Sequence, residues 1–380
     1  MFRSPLNLAL SRTLLVMLEE KTPEVMAWDL GYHHAKRGRP FDPTGAPDPE
    51  AYKRGYEGAG GPQHPKEHYS RHLFARLPEI AKGMMATHVD RADPRNRAFL
   101  DNPDSPAEHA PKWHQWGVIT HTKMFGLAHD KDVQRYLQNW GVKDRVDRHL
   151  DQEIDGQPKR DLLRAGIALH DLGKFTHRTF EEKPDGSYST DFADHEAKSG
   201  ELIRGPEFAD SLKRDYDLTD NQVEYIAKAA ELHFQLGILR SKAKQLGNYN
   251  MAFARSPQFP ELAREQMRAH PDMALEMGLL FLGDSMAKTN IRFDADSDEE
   301  IQAKQGEMMD AVQRKLSALP PSHQFNPKLI QAAQQLPVNV EVAKQYLKTW
   351  AADQQSAQSQ APTTEDWQLR RGTLRLLWTN

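Results

Sequence analysis

An all-α fold is what this sequence predicts, and three observations carry the prediction. From Pro111 to about Asn290 apolar residues recur at helical spacing. Runs of β-type alternation are few in the same span. Further amphipathic helical segments stand at both ends, Ser4 to Glu20 and within residues 298–350. A chain of 380 residues makes one large or two modest domains and buries a sizeable core. A net charge of −4 and a pI near 6.5 give no general pull toward nucleic acid or anionic lipid, so phosphate recognition must be local. The sequence has no cysteine, which excludes disulfides, zinc-thiolate sites, iron–sulfur clusters and thiol nucleophiles. Its 17 histidines remain as nitrogen ligands. The apolar run Leu14 to Leu18 meets Glu19-Glu20-Lys21 too soon for a signal peptide or a membrane span. A soluble, cytoplasmic protein is expected, with no membrane contact.

Five segments are expected. Residues 1–62 read as a small helical hairpin appendage: Ser4 to Glu20 closes at Thr22-Pro23, then two Gly-Tyr pieces, Trp28 to Gly38 and Ala51 to Ala59, flank a turn rich in Pro and Asp. Gly-Tyr on each side predicts two short helices that cross closely under their rings. Residues 63–112 hold His64, His68 and His72 at four-residue steps, read as a solvated or interdomain face, and the helical pattern Arg71 to Met85. Asp90 to Pro111 is polar and Pro-rich and reads as a long loop. Residues 113–295 are the helical core and 296–350 give C-terminal helices broken at Pro320-Pro321 and Pro337. Residues 351–380 are a Gln/Ser/Ala/Pro linker and a tail carrying Trp367, Arg370, Arg371, Arg375 and Trp378.

Within the core, Gly117, Val118, His121, Phe125 and Ala128 share one stripe of a helix. Asp161 to Leu172 is a buried helix ending in Leu169-His170-Asp171-Leu172-Gly173-Lys174, with Gly173 as its stop. Asp194 reads as a capping carboxylate that puts His195 in a first turn. Thr219 opens a helix in which Val223, Ile226, Ala230 and His233 lie along one face, and Met277, Phe281, Asp284 and Lys288 follow at i, i+4 steps. Glu181 to Asp191 is a turn or short hairpin. A lone His-Asp pair in an apolar run is usually a buried, hydrogen-bonded pair. Here His121, His170-Asp171, His195, His233 and Asp284 interrupt, or open, separate helical stripes. So many polar groups aimed at one interior need partners, and metal satisfies them together. Six N and O ligands without thiolate suit Mn, Fe, Co, Ni, Zn or Mg. Six exceed the need of one open catalytic ion, so two divalent ions bridged by Asp171 are expected.

The order His … His-Asp … His … His … Asp resembles the HD-domain superfamily of metal-dependent phosphohydrolases from roughly Trp113 to Lys288. The stretches that carry it are Trp113 to Thr122, Leu169 to Lys174, His195 to Gly200 and Leu282 to Lys288. With Leu77 to Ile80 before them, these look most like the HD domain attached to bacterial tRNA nucleotidyltransferases. The polymerase head is missing here, since no Gly-Ser loop followed by paired aspartates precedes them, so nucleotide addition is not implied. The Gly-Tyr pieces are similar to the helical hairpin of ribosome modulation factor, which implies RNA or ribosome contact through Lys36, Arg37, Arg39, Lys53 and Arg54.

The superfamily likeness implies an all-α HD-domain core with His121, His170, Asp171 and Asp284 as metal ligands, completed by His195 and His233. It places Lys174 near the substrate phosphate. Nearby Arg178, His177, Arg240 and Lys288 are further phosphate candidates, and His114, seven residues before His121, either reaches the mouth of the site or packs with Trp113 and Trp116. Asp171, Lys174 and His233 are candidates for proton transfer. The implied substrate is a phosphate ester of nucleotide or RNA type. A Gly-Tyr-Pro element of the kind found in the superfamily's cyclic-di-GMP phosphodiesterases is lacking. The same six ligands also resemble those of myo-inositol oxygenase and related diiron oxygenases. A non-catalytic HD binding or regulatory module is a third reading.

Overall fold

The computed structural model describes residues 48–60, 69–109, 113–182, 188–290 and 329–360, together with 27–28, 31–32, 184, 186, 299–300 and 303. Ser4 to Glu20, His64, His68, Pro320-Pro321 and the tail from Glu365 lie outside the described residues. Along the chain the helices are α1 (Pro49–Gly60), α2 (Tyr69–His88), α3 (Arg97–Asp101), α4 (Val118–Ala128), α5 (Gln134–Asn139), α6 (Lys143–Leu150) and α7 (Lys159–Leu169). They continue as α8 (His195–Arg204), α9 (Pro206–Tyr216), α10 (Asp220–Glu231), α11 (Ile238–Leu246), α12 (Met251–Ala254), α13 (Phe259–Ala269), α14 (Ala274–Ala287) and α15 (Leu329–Gln360). The sheets among the described residues are two small antiparallel hairpins, β1 (Glu153–Ile154) with β2 (Gln157–Pro158) and β3 (Thr179–Glu182) with β4 (Tyr188–Asp191). The fold is all-α, as the periodicity predicts, and the expected hairpin after Glu181 is β3–β4.

Helix α14 explains the layout. All 14 of its residues are buried, and a helix apolar on every side must be wrapped by others. Helices α4 and α15 pack on it, while α7 is held between α2 and α10, and α8 lies along α10. Helix α10 opens with a reciprocal capping box in which Thr219 and Gln222 each satisfy the other's backbone N–H. Trp28 and Tyr32 stack at 5.4 Å, and a Cβ on Gly55 would fall 2.0 Å from the Trp28 carbonyl oxygen. A close approach at Gly55 is therefore present, with Tyr32 buried beside Trp28. His72 does not face solvent: it is buried against Tyr32 and donates to or accepts from Tyr216 Oη at 2.9 Å.

Four expectations need correction. The stretch from Asp90 is not an unstructured loop, because it folds into 3-10 turns at Pro94–Asn96 and Pro106–Glu108 around α3, whose Phe99 is buried. Helix α7 ends at Leu169, and Gly173 sits inside a following 3-10 turn, Leu172–Phe175, so it is not a helix stop. Asp194 adopts a left-handed conformation (φ 57°) and makes no capping hydrogen bond. Helix α15 runs through Pro337 and on to Gln360, where a break and a linker were expected. An interior proline costs about 3 kcal/mol, but Leu336, Val338, Val342, Tyr346 and Leu347 are all buried and their burial exceeds that cost. Alanine and glutamine then carry the helix onward, and Arg264 pairs with Asp353 at 3.0 Å.

Candidate metal centre

The ends of five helices converge on one interior point. His121 lies in the first turn of α4, His170 caps the C-terminus of α7, His195 opens α8, His233 follows α10, and Asp284 lies in α14. His121 and His170 are fully buried, and Asp171, His233 and Asp284 are each 2% exposed.

Local backbone aims the rings. His170 Nδ1 lies 2.8 Å from the Ile167 carbonyl, His195 Nδ1 2.7 Å from Phe192 O, and His233 Nδ1 2.7 Å from Ala230 O. Each carbonyl belongs to the residue three positions back, at a helix or turn end, and Phe192 O also accepts from the His195 backbone N–H at 3.2 Å. A carbonyl only accepts, so each Nδ1 carries the proton and each Nε2 turns a lone pair toward the interior. That is the tautomer a metal-ligating imidazole needs, held by the outer hydrogen bond that usually accompanies it.

Asp171 stands between these lone pairs. Its Oδ2 is 3.3 Å from His170 Nε2 and 3.8 Å from His121 Nε2. Its Oδ1 is 3.3 Å from His195 Nε2 and 3.8 Å from His233 Nε2. The two oxygens thus face two different histidine pairs. Asp284 Oδ1 is 3.0 Å from His121 Nε2. Among the described residues, three sets have possible ligand atoms within 4.8 Å of one another: His121, His170 and Asp284; His170, Asp171 and His233; and His195, Glu196 and His233. Asp171 Oδ1 and His170 Nε2 are buried with no hydrogen bond. Metal–ligand bonds of about 2.0–2.2 Å place ligand atoms at such separations, so orphaned lone pairs of this kind fit a divalent ion.

Electrostatics agree. Burial raises the Asp171 carboxyl, but its charged surroundings, with the Lys174 ammonium 2.8 Å away, outweigh it and hold the group well below the ordinary range. Asp284 is likewise held down, burial being overcome by Lys288 and His121. Burial keeps His121 and His233 neutral by lowering both, the ligand form again.

Lys174 is buried, and its Nζ donates to Asp171 Oδ2 at 2.8 Å and His109 Nε2 at 3.0 Å. Lys288 Nζ lies 2.9 Å from Asp284 Oδ2 and 3.9 Å from the Phe234 ring centre. Both lysines line a cleft of about 210 Å³ that also exposes His114, His195, His233, Asp284 and Arg240. Arg178 and His177 are not among its lining residues. Arg178 instead donates to Glu108 at 2.6 Å and stacks 4.1 Å from the Phe99 ring centre, while His177 is exposed.

Two residues escaped the sequence reading. His109 is fully buried, stacks on His114 at 3.9 Å and bonds Trp116 O through Nδ1. It comes from an aperiodic stretch, and only its spacing before His114 and His121 could have flagged it. Glu196 lines the cleft, with Oε2 3.1 Å from His195 Nδ1, and its place beside His195 was the available signal.

Residues 114–283 match the family model of the HD domain, which supports membership of the HD-domain superfamily for this core. No curated protein and no solved structure shows significant similarity to the chain. Among the described residues no helix is long and apolar enough to cross a membrane.

Proposed function

We propose that this chain is a metal-dependent phosphohydrolase whose His/Asp centre holds two divalent ions, with Asp171 bridging them. The observation that carries the reading is the split of Asp171: Oδ2 toward His170 and His121, Oδ1 toward His195 and His233. His121, His170 and Asp284 would hold one ion and His195 and His233 the other. Mn, Fe, Co, Ni, Zn and Mg all suit these ligands. Bound there, divalent ions supply a water of lowered pKa and neutralise charge on phosphoryl oxygens.

The chain's own groups do the rest. Lys174, fixed between Asp171 and His109, brings a point charge to the cleft floor, where negative charge grows on the phosphoryl group. Lys288 and Arg240 add positive charge along the wall. Burial keeps His233 neutral, which suits a ligand better than a proton donor, so Asp171 and Lys174 are the nearer candidates for proton transfer. The substrate is a phosphomonoester or phosphodiester of nucleotide or RNA type, in keeping with the tRNA nucleotidyltransferase-like stretches. Residues 113–295 act as the catalytic core, and the hairpin within residues 1–62, with Lys53 and Arg54 exposed on α1, serves as an RNA contact.

The test is metal reconstitution of the full chain followed by phosphate release from a panel of mono- and diesters, with oxygen uptake measured in parallel. Metal-dependent phosphate release without oxygen consumption is expected. Two irons with oxygen consumption and no phosphate release would replace this reading with a diiron oxygenase. No turnover of any kind would replace it with a binding module.

A further inference from the structure

One wall of the cleft lies beyond the HD-domain match: the early turns of α15 contribute Ala332, Gln335 and Asn339. Gln335 stands out. Its carboxamide oxygen is buried without a hydrogen-bond partner although the residue lines the cleft. A buried acceptor left without a donor costs about 1–3 kcal/mol, so a ligand that brings a donor gains that much here.

The wall is also built to hold this position. Asn339, one turn further along, accepts from Tyr249 Oη at 2.7 Å and donates from Nδ2 to Ser285 Oγ at 3.1 Å. Ser285 neighbours Asp284, so a short hydrogen-bonded path ties the Gln335 turn to the metal centre. Arg255 pairs with Glu341 at 3.2 Å and secures the next turn. The lysines that favour phosphate are committed elsewhere, Lys174 at Asp171 and Lys288 at Asp284. A phosphate held at the two lysines leaves Gln335 on the α15 wall to the alcohol portion of the ester, Arg240 being turned to Asn339 Oδ1 at 3.5 Å. His114, whose Nδ1 is buried and unpartnered, also lines the cleft, on the side of His109 and His121.

We propose that Gln335 accepts a hydrogen bond from a hydroxyl or amine on the alcohol portion of the phosphate ester, and so sets a preference for esters of polar alcohols over plain aryl esters. This rests on the phosphohydrolase reading above and extends it to substrate choice. A pocket that hydrogen-bonds a substrate donor discriminates strongly against analogues that lack it.

The test compares kcat/KM of wild type and Gln335→Met, both full-length and metal-loaded, on phenyl phosphate, ribose 5-phosphate and the four ribonucleoside 5′-monophosphates. Wild type is expected to prefer the polar esters, and the variant to lower the polar-to-phenyl ratio by about tenfold or more. A fall on ribose and nucleoside esters alike assigns the contact to sugar hydroxyls, and a fall on nucleoside esters alone assigns it to the base. A ratio unchanged within about twofold, or a wild type that prefers phenyl phosphate, overturns the inference and leaves the hydrolase reading standing. A wild type that hydrolyses none of these esters, nor bis-p-nitrophenyl phosphate, overturns both.

Discussion

Lys174 shows how a single residue carries charge into this interior. An ammonium group only 4% exposed would be expensive alone, and it persists because Asp171 and His109 each accept one of its protons. Lys174→Met keeps the stem and removes the charge. Its kcat should fall about 10²–10³-fold while bound metal, measured by elemental analysis, stays near the wild-type content. Equal loss of metal and rate would make Lys174 a prop for Asp171 and nothing more. His129 offers a check away from the centre, since burial pushes its pKa from 6.5 down to about 4. Its folded pKa is depressed, so the unfolded chain binds the extra proton between those values, and stability present above pH 6.5 is lost as pH falls toward 4. The loss is about 3 kcal/mol for this group. In urea titrations of metal-free protein, His129→Leu should flatten the pH dependence by about that amount; an unchanged slope contradicts it.

At the scale of elements, the turn after α7 decides the geometry. The chain leaves the α-helix at Leu169 and tightens into the 3-10 turn at Leu172–Phe175. Gly173 lets that turn press against α8: an added Cβ would lie 2.2 Å from the His195 carbonyl oxygen. Gly173→Ala must therefore move His195 or the turn. A stability loss of about 1–3 kcal/mol is expected, with metal affinity down about 10–100-fold in titration. Unchanged metal affinity would show that the contact has no part in aiming His195. The helices that carry the converging side chains were legible because their apolar stripes are strong and His or Asp interrupts them. His109 was not, since the stretch from Asp90 to Pro111 has no period to place it on. Helix α15 was misread because Pro337 and a Gln/Ser/Ala composition signal a break locally, whereas packing on α14 is a tertiary effect. Asp194 was misread for a similar reason: its residue type suits a cap, but its backbone turns left-handed to deliver His195.

At the scale of the molecule, α14 and the helices wrapped around it bring six His and Asp side chains to one interior point among the described residues. The six His and Asp side chains that converge here could be picked out in the chain because they share an order and a local context. The bonds that fix each imidazole tautomer, the split of Asp171 between two histidine pairs and the α15 wall all depend on contacts between distant residues, which sequence periodicity does not encode. Arg178 shows the limit from the other side: proximity to the His-Asp motif in sequence suggested phosphate, yet the fold turns it to Glu108 and Phe99. The most direct test of the two-ion centre is paired metal analysis and phosphate release on wild type and Asp171→Asn. Wild type should hold two divalent ions per chain and release phosphate. The variant should lose at least one ion and at least about a hundredfold in rate. A variant that keeps both its ions and its rate would contradict Asp171 as the bridging ligand.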